Sequence, residues 1–376
     1  MYKIPFNRPA IVGNELSYMQ EAVRNGHISG DGAFTRRCSE YMERIFSAHK
    51  ILLTPSCTDA LEICALLLDL KEGDEVIAPS YSFVSTVNAF VLRGARPVFV
   101  DIRPDTLNMD ENHIDAKISS RTKAIVLVHY AGVACEMDQI LAIAKKHGVP
   151  VVEDAAQAVN SKYKGKRLGT LGSLGTYSFH ETKNLSCGEG GALVVNEARY
   201  VERAEIIRQK GTNRNQFFRG LTDKYTWCDL GSSYVLSDLL AAFLLAQLEE
   251  MQKIHNKRRQ IFEWYSERLQ ALQGAGQVRL PVIPPECETN YHMFYVVFES
   301  ESVRNRVMDG LKKEGILSVF HFVPLHLSPM GKRLGCAAGD LPVTESFSAR
   351  LLRLPFFYEL TEGQVDEITG RIKALL

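Results

Sequence analysis

The sequence lacks any imbalance between positive and negative charge. Lysine plus arginine and aspartate plus glutamate each number 44 among 376 residues. A protein without a net positive field gains no general attraction to the phosphates of nucleic acid or to anionic lipid headgroups. We therefore expect neither a nucleic-acid-binding protein nor a membrane-surface protein.

The patterns of a membrane span, a leader and a metal site are also missing. No run approaches the roughly 20 apolar residues of a membrane helix, and the N-terminal MYKIPFNRPAIVG has no apolar signal-peptide core. Eight cysteines, scattered from Cys38 to Cys336, form no C-x-x-C pair, and ten histidines show no H-E-x-x-H spacing. These absences predict a cytoplasmic protein without a disulfide framework or a bound metal ion.

What the sequence does contain is a repeated alternation of strand and helix. The apolar runs ILLTP, DEVIAP, RPVFVDI, KAIVLVHYAG and PVVED are of strand length, and helical patterns such as EMDQILAIAKKHG lie between them. This alternation predicts an α/β fold with a mainly parallel sheet and helices on both faces. Because 376 residues exceed one ordinary core, we predict a large α/β domain over residues 1–245 and a smaller α+β domain over residues 246–376.

Other segments give more local expectations. Residues 1–35 are rich in Gly, Asn and Pro and predict an irregular arm. Residues 237–272 contain no Gly or Pro and predict a hinge helix of roughly 50 Å between the domains, unless it is kinked. In the small domain, HMFYVVFE and GILSVFHFV predict strands, and residues 301–314 and 363–375 predict helices.

Ligands of parallel sheets bind at the carboxyl ends of the strands, so the residues that follow each apolar run are candidates. Asp154 ends PVVED, and Lys183 lies in the turn-rich GTYSFHETKN before three glycines. Pyridoxal phosphate (PLP) needs a lysine for a Schiff base and a carboxylate that keeps its pyridine nitrogen protonated. Taken alone, however, such a lysine is more often a surface charge, and such an aspartate a helix cap.

Further strand ends supply groups that could surround such a cofactor. Ser56, Cys57 and Thr58 follow ILLTP at a helix start, where backbone N–H groups and the helix dipole attract anions; a plain N-cap is the simpler interpretation. Phe83 follows DEVIAP and offers an aromatic ring beside a cleft, or core packing. Ser178 is a second hydroxyl for a phosphate.

The motifs EDAAQA, SFHETKN and GEGG, in this order, resemble the DegT/StrS-type sugar aminotransferases, which are PLP enzymes of the aspartate aminotransferase fold, fold type I. PSCTDALE, PSYSFVSTVNA, VHYAGVACEMD and FVPLH extend the resemblance over essentially the whole chain. The resemblance implies that Lys183 is the Schiff-base lysine and acid/base, and that Asp154 is the pyridinium partner. It further implies that Gln157 contacts the phenolic oxygen of the ring and that Phe83 stacks on the ring. The residues implied for the phosphate are Cys57, Thr58 and Ser178.

One segment departs from the pattern of many relatives. Where they carry GYNYR, with an Asn that reaches the cofactor phosphate of the neighbouring subunit, this chain has GSSY with Ser233. GSSY, HETKN, KGTNRNQFFRG and DKYTW resemble the branch that makes dTDP-4-amino-4,6-dideoxygalactose. That resemblance implies a homodimer with shared sites, which transfers an amino group from L-glutamate to C4 of dTDP-4-keto-6-deoxyglucose, toward surface polysaccharides such as enterobacterial common antigen.

The nucleotide sugar also needs partners for its pyrophosphate. Arg214, Arg219 and Lys224 lie in a Gly-rich loop and carry suitable charge, although solvation is the simpler role for each. His321 and His326, in VFHFVPLHLSP, could approach the sugar from the small domain, although a structural role is the simpler interpretation for a lone histidine.

Several alternatives stay open. A PLP-dependent sugar dehydratase keeps the fold, but in those relatives the lysine is commonly replaced by histidine, and His180 lies three positions before Lys183. A cysteine desulfurase would use Cys187. A regulatory relative without activity, amination at C3 and a gluco product are the remaining hypotheses.

Overall fold

The computed structural model describes residues 2–376, and a seven-stranded sheet forms its centre. In chain order the strands are β1 (Lys50–Thr54), β2 (Glu75–Pro79), β3 (Arg96–Val100), β4 (Thr122–Val128), β5 (Val151–Asp154), β6 (Lys162–Tyr163), β7 (Lys166–Arg167), β8 (Leu174–Ser178), β9 (Gly191–Val195), β10 (Val278–Arg279), β11 (Cys287–Glu288), β12 (Tyr295–Phe298) and β13 (Leu351–Arg353). The central sheet has the order β1-β9-β8-β5-β4-β2-β3. Strand β9 runs antiparallel to both neighbours, and the other pairings are parallel. The prediction of a mainly parallel sheet is confirmed.

Helices cover both faces of this sheet. In chain order, the helices of residues 2–376 as a whole are α1 (Glu15–Arg24), α2 (Ala33–Phe46), α3 (Cys57–Leu67), α4 (Ser85–Val91), α5 (Met137–His147), α6 (Val201–Arg208), α7 (Arg214–Phe218), α8 (Asp238–Glu249), α9 (Met251–Gly274), α10 (Glu301–Lys313), α11 (Pro329–Arg333), α12 (Pro342–Arg350) and α13 (Glu362–Leu375). Short 3-10 turns occupy Glu111–His113, Asp115–Lys117, Tyr130–Gly132, Ala198–Tyr200 and Leu325–Leu327.

Alternate residues of the strands enter two separate cores. In β1, Ile51 and Leu53 pack with residues of α2, α5 and α8, whereas Leu52 packs with residues of α3, α4 and α6. Successive strand side chains point to opposite faces, so a strand buried on both faces is an unbroken apolar run, as the sequence has it. The helices on both faces follow from this burial.

The open edge of β1 is closed by two side chains. The backbone N–H of Ile51 donates to Glu43 Oε1 at 2.9 Å, and the carbonyl of Leu53 accepts from Arg208 Nε at 2.6 Å. Arg208 is itself buried and pairs with Asp31 at 2.8 Å. Charged side chains therefore provide hydrogen-bond partners for these two backbone groups of β1, which have no neighbouring strand on this side.

The C-terminal part has its own core, built by α9, α10, α13 and the sheet β10-β12-β13. Ile4 belongs to this core and bridges to Ile316, so the N-terminus is tied to the C-terminal part. The predicted domain boundary after residue 245 lies within α8 and stays a prediction. No helix among residues 2–376 combines the length and the apolar character needed to cross a membrane.

Three local expectations need correction. Residues 1–35 are not an irregular arm, because they contain α1 and the start of α2, which pack on α8. Residues 237–272 form two helices, since the chain breaks at Glu250 (φ −92°, ψ 8°) between α8 and α9. The run GILSVFHFV forms no strand and contributes only two isolated bridges, that of Ile316 to Ile4 and that of Val319 to Arg353.

Gly191, the first residue of β9, provides a test of how closely this strand approaches the start of α3. A Cβ there would lie 2.3 Å from the carbonyl carbon of Ser56 and 2.4 Å from the Cys57 nitrogen. We expect Gly191→Ala to lower the free energy of unfolding by about 1–3 kcal/mol, because backbone must shift to admit the methyl group. The measurement is denaturant unfolding, with Gly370→Ala on α13 as the control, since a Cβ at Gly370 meets nothing within 4 Å. Equal midpoints for the two variants would contradict the close approach.

Candidate active site

Asp154 and Lys183 lie at the carboxyl edge of the central sheet. Asp154 ends β5, and Lys183 lies in the loop that joins β8 to β9. Backbone hydrogen bonds close this loop: Phe179 N–H donates to Gly190 O at 2.8 Å, and Lys183 N–H donates to His180 O at 2.9 Å. The reversal of β9 after this loop therefore returns Lys183 to the edge at which the parallel strands end.

The Asp154 carboxylate is buried, at 4% exposure, and is held by two donors. Its Oδ2 accepts from the Thr86 hydroxyl at 2.6 Å, and its Oδ1 accepts from the Ala156 N–H at 3.1 Å. These bonds fix the orientation of the carboxylate. Thr86, near the start of α4, was not among the residues predicted from the sequence.

The Lys183 amine lies in a poorly hydrated environment. Burial lowers its pKa, the charge of Arg353 adds to that shift, and the charge of Asp154 opposes it. Desolvation disfavours the charged amine, and the neutral amine is the nucleophilic form. The environment of Lys183 therefore favours reaction with an aldehyde.

The N-terminus of α3 lies beside this lysine. Ser56 caps the helix by accepting the Asp59 N–H at 3.0 Å, and Cys57 and Thr58 are the first helical residues. The Thr58 hydroxyl donates to Ser85 Oγ at 2.8 Å. Burial raises the pKa of the Cys57 thiol above its usual range, so the thiol adds no negative charge to a helix end that favours anions.

The other three predicted cofactor residues of this chain lie near the same edge. Ser178 ends β8 and is buried, and it pairs in register with Gly191. The Gln157 side chain accepts the Ala131 N–H through Oε1 at 2.8 Å. Phe83 is 60% exposed, with its ring centroid 6.4 Å from that of Phe322, and so leaves a ring face accessible.

The two predicted histidines have different surroundings. His321 Nδ1 lies 2.7 Å from the Tyr130 hydroxyl, and Lys183 and Arg353 are close enough to lower its pKa further below the value that burial alone produces. His326 is fully buried, with its two ring nitrogens bonded to Ser80 at 2.7 Å and Glu345 at 3.1 Å. His321 therefore lies at the site, whereas both ring nitrogens of His326 are used in contacts with Ser80 and Glu345.

The predicted phosphate-binding cations lie elsewhere in this chain. Arg214 and Arg219 line a cleft of about 530 Å³ along the edge of β1, and the lining does not include Lys183. Arg219 pairs with Glu205 at 2.5 Å, and Arg214 lies over the Phe218 ring. Lys224 and Ser233 are exposed, and Ser233 pairs through its backbone with Gln209.

The C-terminal part of the chain contributes residues near the site that were not predicted from the sequence. Arg353 ends β13, and His292 bonds Asn184 Oδ1, one residue after Lys183, at 2.9 Å. Burial lowers the pKa of His292 well below its usual range, and the charge of Lys183 adds to the shift. No local motif marks either residue, because only the tertiary fold brings them next to the loop after β8.

These residues fit PLP. The aldehyde of PLP reacts with an uncharged lysine, and the pyridine nitrogen needs a carboxylate of fixed orientation. The phosphate needs a helix N-terminus that is free of competing negative charge. Lys183, Asp154 and the start of α3 meet these requirements within one edge of the sheet. The absence of a side chain at Gly191 leaves the first N–H groups of α3 unobstructed.

Fold and site together define a PLP-dependent aminotransferase of fold type I. The model of the DegT/DnrJ/EryC1/StrS aminotransferase family matches residues 9–373. The chain belongs to this family of sugar aminotransferases, and PLP is its cofactor.

Relatives of known structure agree over nearly the full length. The aminotransferase TlmJ from Streptoalloteichus hindustanus is 30% identical, with a TM-score of 0.91 over 99% of this chain and 98% of that one. The PLP form of Spr1654 from Streptococcus pneumoniae, named as a sugar aminotransferase, is 26% identical, with a TM-score of 0.91 over 100% and 98% of the two chains. An uncharacterised protein of Methanocaldococcus jannaschii is 32% identical over 99% of this chain and 97% of its own length.

The lowered pKa of Lys183 makes a prediction for the cofactor-free protein. At pH 7 we expect Lys183→Met to be more stable than the wild type, because the variant does not bury a charged amine. As the pH rises towards 10.5, the Lys183 amine of the folded protein loses its proton before that of the unfolded protein does, because its pKa is lowered in the folded state. The wild type therefore gains stability, and the difference in free energy of unfolding between Lys183→Met and the wild type becomes smaller. The measurement is denaturant unfolding between pH 6.5 and 10. Lys145→Met, at an exposed position of α5, is the control, and a pH-independent difference for Lys183→Met would contradict the assignment.

Proposed function

We propose that this enzyme transfers the amino group of L-glutamate to C4 of dTDP-4-keto-6-deoxyglucose and produces dTDP-4-amino-4,6-dideoxygalactose for surface polysaccharide. The segment GSSY around Ser233, read with HETKN and KGTNRNQFFRG, carries this choice of substrate. The family match supports the reaction class. We place the reaction in the cytoplasm and assign residues 1–245 to the cofactor domain and residues 246–376 to the hinge helix and small domain.

In this proposal the buried pair at the sheet edge performs the chemistry. PLP, when bound, accepts the electrons of the substrate carbon and carries the amino group between the two substrates. Lys183 attaches the cofactor and afterwards moves the proton at the substrate carbon, because its environment favours the neutral amine. Asp154 keeps the ring nitrogen protonated, in the orientation that Thr86 imposes.

The remaining cofactor contacts surround the ring. Gln157 contacts the phenolic oxygen, and the exposed Phe83 stacks on one face. The phosphate is held by Cys57, Thr58 and Ser178. The α3 N-terminus supports this assignment, since its N–H groups have a partial positive charge.

We further propose a homodimer in which each chain completes the other's site. Ser233 is exposed, so a contact with the cofactor phosphate of a neighbouring subunit is compatible with its position. Arg214 and Arg219, with Lys224 nearby, offer charge for the pyrophosphate, although Glu205 already neutralises Arg219 in the single chain. We assign the sugar contact to His321 ahead of His326, because both nitrogens of His326 are engaged.

Incubation of the protein with dTDP-4-keto-6-deoxyglucose and L-glutamate tests the function. We expect NMR of the product to show an amino group at C4 with galacto stereochemistry. Lys183→Ala should lower turnover at least about 100-fold, because both the attachment point and the proton carrier are lost. Lys166→Ala, at an exposed position, is the control. A deoxygenated sugar would identify a dehydratase instead, and wild-type turnover by Lys183→Ala would remove the assigned role.

A further inference from the structure

His292 is a buried histidine that bonds to the residue next to Lys183. It lies between β11 and β12 and is 5% exposed. Its Nδ1 atom lies 2.9 Å from Asn184 Oδ1. The other end of this amide, Nδ2, donates to the Asn290 carbonyl at 2.7 Å, which fixes the amide orientation and leaves Oδ1 facing the ring. Because an amide oxygen only accepts hydrogen bonds, His292 Nδ1 carries a proton and donates it.

The second ring nitrogen, Nε2, is a free acceptor. Burial lowers the pKa of His292 well below its usual range, and the nearby Lys183 and Arg353 add to the shift, so the ring is neutral at pH 7. A neutral imidazole has one proton, and here it is on Nδ1. The bond to Asn184 is the one hydrogen bond that the ring makes among residues 2–376. Since buried acceptors normally have a donor, the donor for Nε2 comes from outside the chain.

The surroundings of His292 belong to the wall of the candidate site. The titratable groups that shift its pKa most are all basic: Lys183, Arg353, Arg258 and His321. Arg258 donates to the His292 carbonyl at 2.5 Å and so holds the backbone of this segment. Lys183 and Arg353 supply donors to the site. His292 Nε2 therefore adds an acceptor to a part of the site in which the charged side chains donate.

Among the molecules of the proposed reaction, the sugar is the one that brings hydroxyl donors to this place. The phenolic oxygen and phosphate of PLP are acceptors, and Asp154 takes the ring nitrogen. The carboxylates of L-glutamate also accept, and its amine is the group that is transferred. In 4-keto-6-deoxyglucose the reacting C4 lies between C3, which carries a hydroxyl, and C5, which carries the methyl group. Because Lys183 must reach C4, an acceptor beside Lys183 is well placed for the C3 hydroxyl.

We propose that His292 Nε2 accepts a hydrogen bond from the C3 hydroxyl of the keto sugar and thereby selects sugars with a hydroxyl next to the reacting carbon. Asn184 acts through His292, because its oxygen holds the proton on Nδ1 and keeps Nε2 free to accept. This role of His292 rests on the proposed function, since it requires a 4-keto sugar as the amine acceptor.

The test compares two keto sugars in the second half-reaction of the cofactor-loaded enzyme, which is followed by its absorbance. One is dTDP-4-keto-6-deoxyglucose, and the other is its 3-deoxy analogue, which lacks the C3 hydroxyl. We expect kcat/KM of the wild type to be about 10–100-fold higher for the hydroxylated sugar, because the analogue leaves a buried acceptor without a donor. Equal values for the two sugars would overturn the role of His292 without any variant.

Two variants distinguish the ring nitrogens. In His292→Asn the amide nitrogen lies at the place of Nδ1 and keeps the bond to Asn184, but nothing replaces Nε2. We expect its preference for the hydroxylated sugar to fall below about threefold, while the half-reaction with L-glutamate changes less than about threefold. His292→Gln brings an amide oxygen near the place of Nε2 and should keep part of the preference. The control is His255→Asn on α9, which removes another histidine with an unbonded ring nitrogen and should keep the full preference.

Nitrogen-15 NMR of the histidine-labelled protein without cofactor tests the tautomer by itself. The His292 signals are those that disappear in His292→Asn. Between pH 7 and 8 we expect a protonated Nδ1 and an unprotonated Nε2, because Asn184 Oδ1 needs a donor and the pKa of the ring is lowered. A protonated Nε2 would contradict the acceptor role.

The outcomes distinguish this role from the proposed function. If the wild type aminates the keto sugar and His292→Asn keeps the full preference for the C3 hydroxyl, the role of His292 is wrong and the proposed function stands. If His292→Asn slows the half-reaction with L-glutamate as much as that with the sugar, Nε2 serves Lys183 instead of the sugar, and the role is also wrong. If the wild type aminates no 4-keto sugar, the proposed function fails, and the role of His292 fails with it.

Discussion

The burial of a lysine amine beside a carboxylate is the constraint on which the site depends. Such a pair is costly unless hydrogen bonds and neighbouring charge support it. Thr86 and the Ala156 N–H hold the Asp154 carboxylate in place, whereas the burial of Lys183 disfavours the protonated amine. The site thereby presents an amine that tends to be uncharged beside a carboxylate of fixed orientation, the arrangement that PLP chemistry at neutral pH requires.

The sheet supplies the geometry for this pair. Parallel strands end at one edge, and the reversed β9 brings the loop after β8 back to it. The same reversal places Gly191 against the start of α3, where a larger residue would collide with backbone. Cofactor chemistry, loop closure and helix packing therefore depend on the same few residues, and a change in one of them affects all three.

The sequence predicted the central sheet because its strands are buried on both faces and appear as apolar runs. Asp154 and Lys183 could be singled out for the same reason: each follows such a run. The N-terminal prediction failed because α1 lacks a side-chain N-cap bond and depends on packing against α8. The strand prediction for GILSVFHFV failed because its residues form only isolated bridges, at Ile316 and at Val319, and no strand ladder. His292 was missed because its place beside Lys183 arises from a contact with Asn184, far away in sequence.

The closed edge of β1 affects the tendency of the protein to aggregate in a concentrated solution. A bare edge strand invites another chain to add to it, the first step of sheet-mediated aggregation. Glu43 and Arg208 occupy the N–H of Ile51 and the carbonyl of Leu53. An incoming strand would have to displace two charged side chains before it formed its first hydrogen bonds with β1. The edge of the sheet therefore disfavours the addition of a strand from another chain.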